Sequence, residues 1–224
     1  MTDVSAYFAQ IYADSSDPWQ YEKRWYEVRK RAICLSLLPY PHFAKAIELG
    51  CSNGVFSEQL AQRCDYLRCV DGQLEAVKLA SERLHNQAHV QVMQGLIPQD
   101  LPSERFDLIV VSEILYYLAP DALTEVIAWL NTALTDNGVI LACHWRYPID
   151  GFQLTGETVH DSLQQQLHYR QQSHVIDQDF LLTIWQANHQ SVAEQENLAV
   201  FLIIRTPQGG YHTKMSSAFK KLLN

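Results

Sequence analysis

Basic charge is scarce in this chain: 17 lysines and arginines stand against 25 aspartates and glutamates, a formal net charge of −8. A nucleic-acid backbone needs a basic surface, so DNA and RNA are poor candidate partners. The local basic groups, Lys23-Arg24 and Arg29-Lys30-Arg31, read as the solvated face of a helix. No apolar run reaches the ~20 residues that cross a bilayer, and no charged start with an apolar run and a small-residue cleavage site is present. A cytoplasmic protein without membrane contact is expected. Cysteine is sparse and scattered, at positions 34, 51, 64, 69 and 143, with no Cys-x-x-Cys pair. These five read as small buried apolar residues in a reducing compartment rather than a disulfide framework. The histidines form no His-x-x-x-His or comparable cluster, so no metal site is expected.

What is present is alternation. A chain of 224 residues suits one domain with a full core. From residue 44 onward, strand-like apolar runs alternate with segments of helical period, which argues for a parallel sheet covered on both faces. The runs are Ala44 to Leu49, Leu67 to Asp71, Val90 to Gln94, Phe106 to Ser112 and Val139 to His144. Leu74, Val77, Ser81 and Leu84 follow helical spacing, as do Leu123, Ile127, Leu130 and Leu134, with Pro120-Asp121 at the entry and Asn137-Gly138 at the exit. Ahead of the core, Asp17-Pro18 can cap a helix that runs to about Leu38, with Trp25, Val28, Ala32 and Leu35 on one stripe. Beyond it, Phe180 to Gln186 and Leu198 to Arg205 read as an antiparallel pair closing one sheet edge. The expected organisation is a helical lid over 1–42, a core over 43–206 in one domain through 206, and a loosely held tail over 207–224.

The most telling segment is Glu48-Leu49-Gly50-Cys51-Ser52-Asn53-Gly54, between a strand-like run and the helical pattern Val55 to Ala61. It reads as a strand, a tight glycine turn and a helix start whose free N–H groups face a ligand. A dinucleotide would favour Gly-x-Gly-x-x-Gly, which is missing: Ser52 stands where a middle glycine would be. Glu48 adds a carboxylate before the turn, unfavourable beside a pyrophosphate and favourable beside an amino-bearing ligand. An amino-acid-like ligand fits better.

Glu-x-Gly-x-x-x-Gly, then Asp71 23 residues after Glu48, then Phe106-Asp107-Leu108-Ile109-Val110-Val111-Ser112-Glu113, resembles the class I S-adenosylmethionine-dependent methyltransferases. Three flanking stretches resemble the nodulation N-methyltransferase (NodS-like) group: Asp17-Pro18-Trp19-x-Tyr21-x-x-Arg24-Trp25-Tyr26-x-x-Arg29-Lys30, Ser112-Glu113-Ile114-Leu115-Tyr116-Tyr117-Leu118, and His144-Trp145-Arg146. With these the likeness covers most of residues 15 to 165. It implies a Rossmann-like α/β fold, a seven-stranded mostly parallel sheet with an antiparallel edge pair and helices on both faces. That group methylates the free amine of a deacetylated chitooligosaccharide.

The resemblance also implies roles. Gly50, Cys51 and Gly54 would let the backbone pass the amino-acid and ribose portions of S-adenosylmethionine, with Glu48 and Ser112 bordering them. Asp71 would accept from both ribose hydroxyls. Gly95 and Leu96 would border the adenine through backbone and apolar contact. Trp19 would close over the cofactor and Arg24 would pair with its carboxylate, against the bland readings of a core anchor and a surface arginine. Glu113 is the candidate base that holds the acceptor amine, and His144, with a reference pKa near neutrality, is an alternative. Tyr116, Tyr117, Trp145 and His160 are candidate acceptor contacts, with Asp161 beside them. The expected activity is N-methylation of a primary amine on a small, polar, sugar-like acceptor. O-methylation of a small metabolite and non-catalytic cofactor binding stay open, as does oligomeric state.

Overall fold

The computed structural model describes residues 3–196 together with the strand backbones 201–205 and 211–215. The chain divides into two compact units, 1–188 and 189–224. The domain expected to run through residue 206 thus takes in the start of the second unit.

In the first unit, α1 (Val4–Asp14) and α2 (Trp25–Leu37) precede an alternating run of strands and helices. These are β1 (Phe43–Leu49), α3 (Val55–Ala61), β2 (Cys64–Asp71), α4 (Leu74–Leu84), β3 (Val90–Gln94), β4 (Phe106–Ser112), α5 (Pro120–Ala133) and β5 (Leu134–Trp145). Then come α6 (Gly156–Gln166), β6 (Arg170–Ile176) and β7 (Phe180–Gln186). One seven-stranded sheet results, in the order β3-β2-β1-β4-β5-β7-β6. β1 to β5 pair in parallel, and β7 runs antiparallel to both β5 and β6.

Residues of one strand alternate between two cores. In β4, Leu108 and Val110 join Cys34 of α2, Leu60 of α3 and Leu84 of α4 on one face. Ile109 and Val111 join Leu123, Ile127 and Leu130 of α5 and Val159 and Leu163 of α6 on the other. Both faces of the central strands are covered, which is why they read as continuous apolar runs. The sheet order reverses between β1 and β4, and the crevice beyond their carboxyl ends is where such sheets take ligands.

The structure corrects the sequence reading in several places. The lid helix begins at Trp25, not at Pro18, because Gln20 sits at φ 57 and residues 17–24 form hydrogen-bonded turns. Its stripe holds only in part: Trp25 is 72% exposed and Ala32 is exposed, Val28 and Leu35 are half-buried, and the buried positions are Glu27, Lys30, Arg31 and Cys34. Lys30 and Arg31 are therefore not a solvated face. Asn137-Gly138 lies within β5 rather than at a helix exit. The partners of β7 are β5 and β6; β6 was illegible because an exposed edge strand of sequence Arg-Gln-Gln-Ser-His-Val-Ile shows little apolar alternation.

The second unit holds α7 (Val192–Gln195) and a separate antiparallel pair, β8 (Phe201–Arg205) with β9 (Tyr211–Met215). The run expected to pair with Phe180–Gln186 thus pairs elsewhere, its residues 198–200 lying outside the described ones. Of the expected tail, β9 is strand, and 207–210 and 216–224 lie outside the described residues.

Candidate active site

The fold gathers ligand-facing groups at the carboxyl ends of five neighbouring strands. After β1 the chain turns through Gly50 at φ 77, Ser52 at φ 51 and Gly54 at φ 78. The N–H groups of Gly50 and Cys51 both donate to the Val70 carbonyl, at 2.8 and 3.0 Å, fastening the turn to β2. A Cβ on Gly50 would stand 3.0 Å from the Ile114 side chain, and one on Gly54 3.1 Å from the Ala80 backbone. Glycine is required at both for backbone conformation and for packing. Ser52 accepts the left-handed conformation, and its Oγ lies 2.6 Å from the Tyr12 hydroxyl of α1, which ties that helix over the turn.

Asp71 ends β2. Its Oδ2 accepts from the Ser52 N–H at 2.8 Å and its Oδ1 from the Gln73 N–H at 2.9 Å. Burial raises its pKa, and those two bonds pull it back toward the charged form. Each oxygen keeps acceptor capacity for a ligand.

Glu113 follows β4 at φ 56, a left-handed conformation that costs a side-chain-bearing residue on the order of 1–3 kcal/mol. Three donors hold it there. Lys30 Nζ lies 2.6 Å from Oε1, the Trp145 N–H donates to Oε2 at 2.9 Å, and the Tyr116 hydroxyl donates to Oε2. Lys30 also lies 3.2 Å from Glu27 and stands over the Tyr26 ring at 4.9 Å. Burial alone would lower its pKa, but the Glu113 and Glu27 carboxylates outweigh that and hold it as an ammonium.

A cavity of about 550 Å³ opens between these groups, within the size range of small-molecule sites. Of the residues singled out in the sequence, Trp19, Arg24, Gly50, Asp71, Gly95, Leu96, Ser112, Glu113, Tyr116, Tyr117 and Trp145 line it. Trp19 packs among the rings of Phe8, Tyr12 and Tyr21. Six others do not reach this cavity. Glu48 is buried and receives the Ser57 hydroxyl, and burial pushes its pKa up to about 8. Glu48 and Cys51 instead border an adjoining cavity of about 40 Å³. Gly54 backs against Ala80.

His144 is fully buried, and its Nε2 accepts from the Leu115 N–H at 3.4 Å. Its Nδ1 lies 3.1 Å from His160 Nε2, and His160 Nδ1 lies 2.9 Å from the Thr183 hydroxyl. Burial drives the two imidazoles neutral, to about 3 for His144 and about 2 for His160. The pair holds the turn that carries Tyr116 and faces no ligand space. Asp161 is exposed on α6.

Lining residues to which the sequence assigned no role include Tyr7, Phe8 and Tyr12 of α1, then Tyr21, Tyr26, Glu27 and Lys30. The signal for the last pair was an i, i+3 ion pair on the same helix face as Cys34. Among the described residues there is no cluster of His, Cys, Asp and Glu able to hold a metal, and no helix long and apolar enough to cross a membrane.

The family model of nodulation protein S (NodS) matches residues 8–174. Nodulation protein S of Rhizobium tropici is 38% identical over 106 residues, 46% of this chain and 44% of that protein. Its counterpart in Sinorhizobium fredii is 31% identical over 121 residues, 54% of this chain and 53% of that protein. The chain spans about half the length of the curated relatives it matches. Among solved structures, a candidate methyltransferase from Pseudomonas syringae is 41% identical, covering 73% of this chain and 99% of that one, with a TM-score of 0.65. The N-methyltransferase NodS from Bradyrhizobium japonicum WM9, in complex with S-adenosyl-L-homocysteine, is 26% identical, covering 83% and 98%, with a TM-score of 0.75.

Proposed function

The chain belongs to the NodS family, and from that premise we propose that it is an S-adenosylmethionine-dependent N-methyltransferase acting on a primary amine of a small, sugar-like acceptor. The observation that carries this reading is the placement of Asp71 and Glu113. β2 and β4 flank β1, so the two carboxylates stand on either side of the glycine turn and open on one cavity.

The residues present fit the donor. Asp71 offers two anchored oxygens to a vicinal diol, Leu96 and Ile97 offer apolar walls beside Gly95, and the buried Tyr26 hydroxyl lacks a protein partner. When bound, S-adenosylmethionine supplies a methyl group on a sulfonium, which passes to the acceptor nitrogen as the carbon–sulfur bond breaks and its electron pair stays on sulfur.

Everything else falls to the chain. An ionised carboxylate offers about four acceptor positions, and three donors already use three on Glu113. The fourth accepts an N–H of the acceptor amine and aims its lone pair. The same carboxylate stabilises the positive charge that develops on nitrogen and takes up the proton that nitrogen sheds. Tyr116, Tyr117, Trp145 and Tyr26 wall this end with aromatic faces. The α1 rings and Trp19 cover the site and exclude water. His144 has no part in proton transfer, because its Nε2 lone pair is occupied and the ring is sealed from the cavity. The five buried free thiols suit the cytoplasm, where we place the reaction.

Methyl-labelled donor tested against amino sugars, deacetylated chitooligosaccharides and simple phenols checks this reading. Label on amine nitrogen is expected; labelling of phenols alone would assign an O-methyltransferase, and donor binding without any labelled product a non-catalytic protein.

A further inference from the structure

Three successive residues at the end of β5 grip the strained turn that begins at Glu113. The Cys143 carbonyl accepts from the Glu113 N–H at 2.8 Å, and the Trp145 N–H donates to Glu113 Oε2 at 2.9 Å. Between them, His144 Nε2 accepts from the Leu115 N–H at 3.4 Å. The first and last of these contacts use the β5 backbone, which any residue type supplies. Of the three, only His144 contributes a side chain from β5, and its ring also stands edge-to-face with Tyr116, centroids 5.4 Å apart. A left-handed backbone at a residue with a side chain persists only where its surroundings over-determine it.

That contact demands one form of the ring. To accept at Nε2, a neutral imidazole must carry its proton on Nδ1. This Nδ1–H has His160 Nε2 of α6 as its acceptor, 3.1 Å away, so His160 must also be protonated at Nδ1, where it donates to the Thr183 hydroxyl of β7 at 2.9 Å. Thr183's own proton has His174 Nδ1 of β6 as acceptor, 2.8 Å away. One backbone N–H thus sets the direction of every hydrogen bond in a chain that crosses four elements. Burial lowers the two imidazole pKa values, to about 3 for His144 and about 2 for His160, so neither takes a second proton at neutral pH. His144, His160 and Thr183 are each 5% exposed or less, and none of them lines a cavity.

Resting on the methyltransfer reading, we infer that His144 is a positioning residue for Glu113, and that His160 and Thr183 act on methyl transfer through it by holding its ring in the Nδ1–H form. Without the Thr183 oxygen, the His160 Nδ1–H is a buried donor with no acceptor. Moving that proton to Nε2 sets it against the His144 Nδ1–H. Relieving that clash puts the His144 proton on Nε2, against the Leu115 N–H. A change on β7 thus reaches the Glu113 turn with no ligand contact along the way.

Nitrogen-15 NMR of the histidine-labelled protein at neutral pH reads the tautomers directly and needs no substrate. His144 and His160 should both carry their proton on Nδ1; a proton on His144 Nε2 would overturn the inference. Turnover per S-adenosylhomocysteine-binding site, counted by calorimetry, then separates positioning from folding, because unfolded molecules drop out of the count. Thr183→Val should lower kcat per site by about 10- to 100-fold, the cost of a small misplacement relayed from outside the site. Thr183→Ser, which keeps the hydroxyl, should restore most of it. His144→Leu should lose as much, and His144→Gln, whose Oε1 can accept from the Leu115 N–H, should recover part. S-adenosylhomocysteine affinity should stay within about twofold in all four variants, as expected of separate contacts. Unchanged kcat per site in Thr183→Val and His144→Leu, equal loss in Thr183→Val and Thr183→Ser, or donor affinity that falls in step with kcat would each overturn the inference. Unaltered protein that methylates no amine would instead overturn the methyltransfer reading, and the positioning role with it, whatever tautomers the NMR shows.

Discussion

Lys30 Nζ lies 2.6 Å from Glu113 Oε1, joining the middle of α2 to the turn after β4 across 83 residues of sequence. Lys30 is 5% exposed and Glu113 16%, so this is a buried pair. Removing one member of such a pair strands the other charge and costs about 3–5 kcal/mol. Lys30→Met should therefore lower unfolding stability by that order in urea titration. It should also cut kcat, since Glu113 loses a donor that holds its left-handed backbone.

Glu113→Gln keeps the shape and the bond from the Trp145 N–H but removes the negative charge that the acceptor nitrogen meets. A drop of about 10²- to 10⁴-fold in kcat is expected, the usual worth of a positioned acid–base group, with S-adenosylhomocysteine affinity unchanged by calorimetry. Equal loss of turnover and donor affinity would place Glu113 in the donor site instead.

Asp71→Ala should act in the opposite sense. It removes both acceptors for a ribose diol and also strands the Ser52 and Gln73 N–H groups. Donor affinity should fall by about 10- to 100-fold, at about 1.5–3 kcal/mol for hydrogen bonds to a charged group. The kcat at saturating donor should change much less.

Glu48 carries a pH dependence. Burial raises its pKa in the folded chain from the usual 4.5 to about 8. Between those values the native state binds a proton that the unfolded chain does not, so this contribution is full below pH 4.5 and fades as pH rises through 8. Glu48→Gln mimics the protonated form. Its stability relative to the unaltered protein should climb by several kcal/mol, on the order of 1.4 per pKa unit, between pH 5 and about 8. A constant difference across that range, measured by denaturant titration at each pH, would assign Glu48 an ionised state throughout.

The parallel core was legible in the sequence because burial on both faces leaves unbroken apolar runs: Phe106–Ser112 and Val90–Gln94 match their strands end to end. The glycine turn and the strand-end positions of Asp71 and Glu113 were legible too, since they follow from where the apolar runs stop. Lys30 and Arg31 were not. A charged residue on an amphipathic helix normally faces water, and only the tertiary placement of α2 against Glu113 and the glycine turn reverses that. His144 misled for a related reason, because a strand-end position says nothing about which neighbour takes up the ring nitrogens. Here the Leu115 N–H and His160 do.

The most direct test of the central claim is a crystal structure with S-adenosylhomocysteine and an amino-sugar acceptor bound together. The acceptor's amine nitrogen should lie about 3 Å from the Glu113 carboxylate, a hydrogen-bond distance, with its lone pair facing the sulfur and the Lys30 pair intact. An amine directed away from Glu113, with a hydroxyl of the acceptor in that position, would contradict it.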